Sequence, residues 1–281
     1  MDFGIATSVT DEGIRPHVLG AAIEERGFHS LFLPEHSHIP VSRETPYPGG
    51  ELPRGAARNL DPFIALTAVA SATSNLRLGT AVALMIQRDV FYTAKEIASL
   101  DFLSNGRVVF GVGAGWNIEE MRNHGVDPRT RGALLTEQLR ALKEIWTKDE
   151  AEFHGEHIDF DPVFSWPKPV RKPHPPIYVA GQGPAGLKRL AEHADGWLPH
   201  SVTPLDELRR VRSWLADQGR ADVRISVFGA PADLELVRGF ADAGVDEVSF
   251  LMPTLPEAEA LEHLDHLAKV AEPLLRDPSA S

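Results

Sequence analysis

Eight short apolar runs, each bounded by turn residues and each followed by a longer stretch of helical period, recur from one end of the 281-residue chain to the other. The runs are Phe3–Thr7, Ser30–Pro34, Leu76–Val82, Val108–Val112, Ile177–Ala180, Gly196–Pro199, Arg224–Phe228 and Glu247–Leu251. Strands separated by helices, with no cluster of consecutive strands, imply a parallel sheet, and eight βα units are the number that closes it on itself. The expected fold is therefore α/β, a (β/α)8 TIM barrel formed as one domain over residues 1–281. An open doubly wound sheet is the alternative.

Helix boundaries support the alternation. Asp61-Pro62, Gly183-Pro184 and Thr203-Pro204 each set a capping residue before proline at the first helical position. Asn117 with Glu120 reads as a cap and its N3 partner. Gly27 and Gly244 stand where left-handed residues close helices. Two Pro-rich stretches break the rhythm. Residues 38–59 follow the second strand, which places them on the catalytic face as a candidate lid. Residues 148–176 precede the fifth strand, which places them at the opposite end.

Composition removes several functions. Twenty-eight Lys and Arg against 40 Asp and Glu leave a formal charge of −12, which opposes binding to nucleic acid or anionic lipid. The absence of cysteine excludes disulfides, a thiolate nucleophile and Cys-ligated metals. The N-terminus Met1-Asp2-Phe3-Gly4 lacks a basic leader, so a cytoplasmic location is expected. The longest apolar run, Phe63–Ala72, carries Thr67 and Ser71 and is too short to span a membrane.

In a barrel the functional side chains sit at the C-terminal ends of the strands. The second strand ends in Glu35-His36-Ser37-His38, a carboxylate and two imidazoles suited to acid–base work. The fourth ends in Gly111-Val112-Gly113-Ala114-Gly115-Trp116. Trp116 occupies the place of the third glycine of a dinucleotide-binding turn, where an indole would hold helix and strand apart, so that reading fails. The fifth ends in Gly181-Gln182-Gly183 before a helix, a loop able to take a phosphate on backbone N–H groups. His154 with His157 and His263 with His266 have metal-like spacing but read as solvated surface, so no metal is expected. Glu119-Glu120 reads as first-turn charge favourable to the helix dipole. No Gly-x-Ser-x-Gly elbow supports serine acyl chemistry.

Together, Asp61-Pro62-Phe63, "LRLGTAV", "ASLDFLSNGRVVFGVGAGW", "LKEIW", "HGEHIDF", "WPKPV", "PHPPIYVAG" and "DGW" resemble the luciferase-like monooxygenases, and within them the branch of coenzyme F420-dependent oxidoreductases. The resemblance implies coenzyme F420, or FMN, at the mouth of the barrel. It implies a cis peptide at Ala81-Val82 behind the ring, and Glu35 and His36 as the acid–base pair with His36 nearest the hydride-bearing carbon. Ala114, Gly115 and Trp116 would pass under the ring edge, and Gly181, Gln182 and Gly183 would take the phosphate. It also implies a homodimer. In the branch that oxidises a sugar phosphate, Trp116 is replaced by glutamate and Pro40 by tryptophan, so glucose-6-phosphate is disfavoured and the substrate stays open. An FMN-dependent monooxygenase and a non-catalytic flavin-binding barrel are the competing readings.

Overall fold

The structure, a computed structural model, describes residues 1–275, so residues 276–281 of the expected domain lie outside it. The parallel strands are β1 (Asp2–Thr7), β2 (Ser30–Leu33), β3 (Arg77–Thr80), β4 (Ala83–Leu84) and β5 (Val108–Gly113). An antiparallel pair, β6 (Glu150–His154) and β7 (Asp159–Phe164), intervenes before β8 (Ile177–Val179), β9 (Gly196–Trp197), β10 (Arg224–Ala230) and β11 (Glu247–Met252). The ladder runs β3-β2-β1-β11-β10-β9-β8-β5-β4, and β3 also pairs with β5, which closes the ring. β3 and β4 are two halves of one stave interrupted at Ala81-Val82, where the peptide is cis. The sheet is thus a closed eight-stranded parallel barrel, at the strand positions expected from the sequence.

Helices α1 (Pro16–Glu25), α2 (Pro62–Ala72), α3 (Val90–Leu103), α4 (Ile118–Asn123), α5 (Arg131–Thr147), α6 (Pro184–His193), α7 (Leu205–Asp217), α8 (Leu234–Asp242) and α9 (Glu257–Leu275) surround it. Alternate strand residues face outward into the main core, among them Ile5, Leu31, Leu33, Phe110, Val112, Val179, Val248 and Phe250. The intervening ones fill the barrel as a separate cluster, in which Ala6, Phe32, Val109, Tyr178 and Leu198 pack with Ala81, Val82, Ala180 and Phe228.

Local chemistry fixes the helix ends. Asp61 accepts hydrogen bonds from the N–H groups of Phe63 and Ile64, and Asn117 accepts that of Glu120. Gly27 and Gly244 hold φ of 78° and 77°. Thr203 departs from its expected role: Pro204 is the cap of α7, and the Thr203 hydroxyl instead accepts from Gln182 Nε2 at 2.5 Å.

Both excursions are tied down. The 38–59 segment lies over the mouth, fastened by Arg54 and Arg58 to Glu12 and Asp11 in the loop after β1. The 148–176 segment corrects the expectation. Its ends stay at the bottom, but the β6–β7 hairpin climbs the outside of the barrel because Ala151 and Phe153 are buried within the main core. Its turn is held by Glu137 of α5, which accepts the N–H groups of Glu156, His157 and Ile158. The Phe160 ring lies 4.9 Å from that of Phe91, in the first turn of α3 and so toward the mouth. His154 is paired with Asp159 across the hairpin at 2.7 Å. On α9 Leu264 and Leu267 are buried, as the helical stripe requires.

Candidate active site

Strand alternation decides which residues reach the mouth. Phe32 points into the barrel and Leu33 outward, so Pro34 and His36 continue the inner set and Glu35 the outer one. His36 accordingly faces the opening. Its Nδ1 lies 2.8 Å from Glu120 Oε2, and its Nε2 lies 3.3 Å from the indole N–H of Trp116. The Trp116 ring packs edge-on against His36 at 5.7 Å and against Tyr47 of the excursion at 5.3 Å. The residues placed here by sequence, His36 and Trp116, are brought together.

Glu35 is not brought to His36. Its Oε2 accepts the backbone N–H of Leu84 at 2.7 Å, and its Oε1 accepts Arg88 Nε at 2.7 Å. Arg88 also binds Asp61 and Glu96, and its guanidinium lies 4.4 Å over the Phe63 ring. The carboxylate beside His36 comes from Glu120, fully buried in the first turn of α4. Of the expected capping box, half forms. The Asn117 side chain takes the Glu120 N–H, but the Glu120 carboxylate goes to His36. No pattern within α4 signals this, because the partner lies in another βα loop.

The glycines of "GVGAGW" divide by cause. Val109, Gly111 and Gly113 are the inward positions of β5. A Cβ on Gly111 would lie 1.8 Å from the Thr80 carbonyl oxygen, and one on Gly113 would lie 2.6 Å from Val82 Cγ2. Both are glycine because the neighbouring stave leans across them at Ala81-Val82. Gly115 is different: its φ is +70°, which turns the chain so that Trp116 enters the mouth after Ala114. Val82 and Ala81 form the adjacent wall inside the barrel.

The loop after β8 holds Gly181 at φ +126°, its carbonyl bound by Trp197 Nε1 at 3.0 Å. Gly183 caps α6, and a Cβ there would meet open space. Of the helix cations, Lys188 pairs with Glu192 one turn on, and Arg189 is turned to Thr136 and the Gly132 carbonyl. An anion would be met there by backbone N–H groups of a ten-residue helix, a cradle that fits a cofactor phosphate.

A second imidazole at the mouth was missed. Leu198 faces inward, so His200, two residues on, does too, and it packs edge-on against Phe228 at 5.1 Å. Its Nδ1 receives the Val202 N–H at 3.3 Å, which leaves Nε2 as the protonated nitrogen of the neutral ring. Burial against its neighbours pushes its pKa below the ordinary histidine value. The bulge between Phe228 and Ala230, with Gly229 at φ +75°, makes room for the ring. The strand-end rule selects His200; the expected sixth strand stopped one residue short of it.

The family model for luciferase-like monooxygenase matches residues 6–233. The uncharacterized protein Rv0953c of Mycobacterium tuberculosis is 38% identical over 277 residues, covering 95% of this chain and 98% of the relative. The F420-dependent glucose-6-phosphate dehydrogenase of Amycolatopsis mediterranei is 29% identical over 179 residues, covering 62% and 50%. The crystal structure of the monooxygenase RslO1 from Streptomyces bottropensis superposes with a TM-score of 0.78 at 20% identity, covering 98% and 100%. No helix among the described residues is long and apolar enough to cross a membrane. With the family model matched over most of its length and the barrel closed, this chain belongs to the luciferase-like monooxygenase family.

Proposed function

We propose that this protein is a coenzyme F420-dependent oxidoreductase acting on a small organic substrate, with His36 as the group that exchanges a proton. The observation that carries the reading is the placement of His36. It projects into the mouth next to Trp116 and the Ala81-Val82 wall, with a buried carboxylate behind it. An imidazole in that setting is suited to general acid–base work. When bound, coenzyme F420 supplies the hydride-bearing carbon. Val82, Ala81, Ala114, Gly115 and Trp116 would bound its ring, and Gly181, Gln182 and Gly183 its phosphate. Glu35 supports this site from outside by fixing the Leu84 amide and Arg88.

The whole described chain builds one barrel, and we read 1–281 as one domain in the cytoplasm. A homodimer is supported by apolar side chains exposed along one flank: Ile64 of α2, Tyr92, Phe102 and Leu103 of α3, and Phe164 and Trp166 of the hairpin segment. The likeness to RslO1 favours a second reading, an FMN-dependent monooxygenase built on the same mouth. Equilibrium titration with each cofactor, followed by fluorescence, separates them. Coenzyme F420 is expected to bind at least tenfold tighter than FMN, a difference of about 1.4 kcal/mol. Equal or tighter FMN binding would replace the first reading by the second.

A further inference from the structure

We infer that Glu120 positions His36 by holding its ring as the Nδ1–H tautomer, so that Nε2 is the one atom through which His36 trades a proton with a ligand. The inference takes from the proposed function only that His36 is the acid–base group.

Two independent contacts require the same tautomer. Glu120 is fully buried, and Oε2, 2.8 Å from His36 Nδ1, is the oxygen with a hydrogen-bond partner; Oε1 has none. An ionised carboxylate only accepts, so Nδ1 must carry the hydrogen. On the other side of the ring, Trp116 Nε1–H is a donor and never an acceptor, and at 3.3 Å it addresses Nε2. Nε2 must therefore present its lone pair. A carboxylate out of water needs such a bond, and a ring bound at both nitrogens cannot turn without breaking both. Asn117 completes the mounting by holding the Glu120 N–H at 3.0 Å.

The arrangement restricts what can meet His36. The indole N–H stands where a ligand donor would stand, so a hydroxyl or amine X–H reaches the neutral ring by displacing the indole from Nε2. On transfer the X–H bond breaks, its electron pair stays on X, an Nε2–H bond forms, and the resulting imidazolium is paired at Nδ1 by Glu120. In the opposite direction Nε2–H returns the proton to X. Glu120 touches neither ligand nor cofactor in this scheme; it is a positioning residue.

Long-range proton–nitrogen correlation spectra of 15N-histidine-labelled protein, recorded without cofactor, test this. In the wild type the neutral His36 ring should show a protonated Nδ1 and a lone-pair Nε2. Glu120→Leu should shift the ring toward the Nε2–H form that a free histidine side chain prefers, with only the Trp116 N–H left to oppose it. If that variant does not fold, Glu120→Gln keeps the volume but removes the charge, and its Nδ1 proton should exchange with water roughly tenfold faster than in the wild type. A wild-type ring protonated at Nε2 overturns the inference. So does an Nδ1 proton that is unchanged in Glu120→Leu or, where that variant does not fold, exchanges at the wild-type rate in Glu120→Gln. Because no cofactor is present, failure to bind coenzyme F420 would overturn the proposed function and leave this result intact.

Discussion

Thr45, midway along the excursion over the mouth, donates both its backbone N–H and its hydroxyl to the carboxylate of Glu119. These bonds hold the carboxylate pKa down to about 2, from an ordinary value of 4.5. Neighbouring residues of α4 therefore serve two loops: Glu119 latches the excursion and Glu120 holds His36.

The latch has a defined pH window. A carboxyl group whose folded pKa is lowered contributes its full stabilisation above the unfolded value, near 4.5, and loses it as pH falls through about 2. Protection of the Thr45 amide from hydrogen exchange, relative to its intrinsic rate at each pH, should thus hold at neutral pH and be lost only in strong acid. Glu119→Gln should bring fast exchange to neutral pH. Equal protection in both proteins would show that the latch does not order the segment.

His36→Ala should lower turnover by roughly 10² to 10⁴ and leave cofactor affinity within a few-fold, as expected for a group acting mainly in the transition state. His38 is the control. Its ring is occupied by Ser37 and Asn123, at 2.9 and 2.8 Å, away from the Trp116 indole. Greater damage from His38→Ala, with circular dichroism unchanged in both, would reassign the proton-transfer role.

Glu35 should behave as a structural residue. Breaking a buried ion pair by removing one partner costs about 3–5 kcal/mol, so Glu35→Ala should lower the denaturant midpoint strongly, whereas His38→Ala, whose exposed bonds go to Ser37 and Asn123, should stay within about 1 kcal/mol of the wild type. Equal stability of the two variants would sever the link between Glu35 and the Arg88 network.

The glycines give a paired test. Gly111→Ala drives a methyl into the Thr80 carbonyl and should cost about 3 kcal/mol or prevent folding. Gly183→Ala opens onto free space and should change stability by no more than about 0.5 kcal/mol. Its measurable effect should be weaker binding of a phosphorylated cofactor, with the dephosphorylated cofactor unaffected. Thermal unfolding and titration read the two effects separately.

His200 should matter to ligand binding and not to folding. Its Nε2–H has no protein acceptor among the described contacts, so His200→Ala removes a donor worth about 0.5–1.5 kcal/mol, or two- to tenfold in KM. An unchanged KM with every mouth-facing ligand tried would assign the ring to packing on Phe228 alone.

The sequence by itself determined the barrel. Hydrophobic period and capping are local, and residues such as Asp61, Gly27 and Gly244 act on backbone groups within a few positions of themselves. His36 was legible for the same reason, as a titratable group at the end of a counted strand. The assignment of Glu35 beside it was also decidable in principle, since a strand's period of two sends adjacent residues to opposite faces. What only the tertiary structure decided are pairings across loops: Glu120 with His36, Thr45 with Glu119, Gly111 with the Thr80 carbonyl, and the hairpin turn with Glu137. Each joins residues from different βα units or excursions. Their meeting depends on how the closed ring brings loop ends together, and no local propensity encodes it.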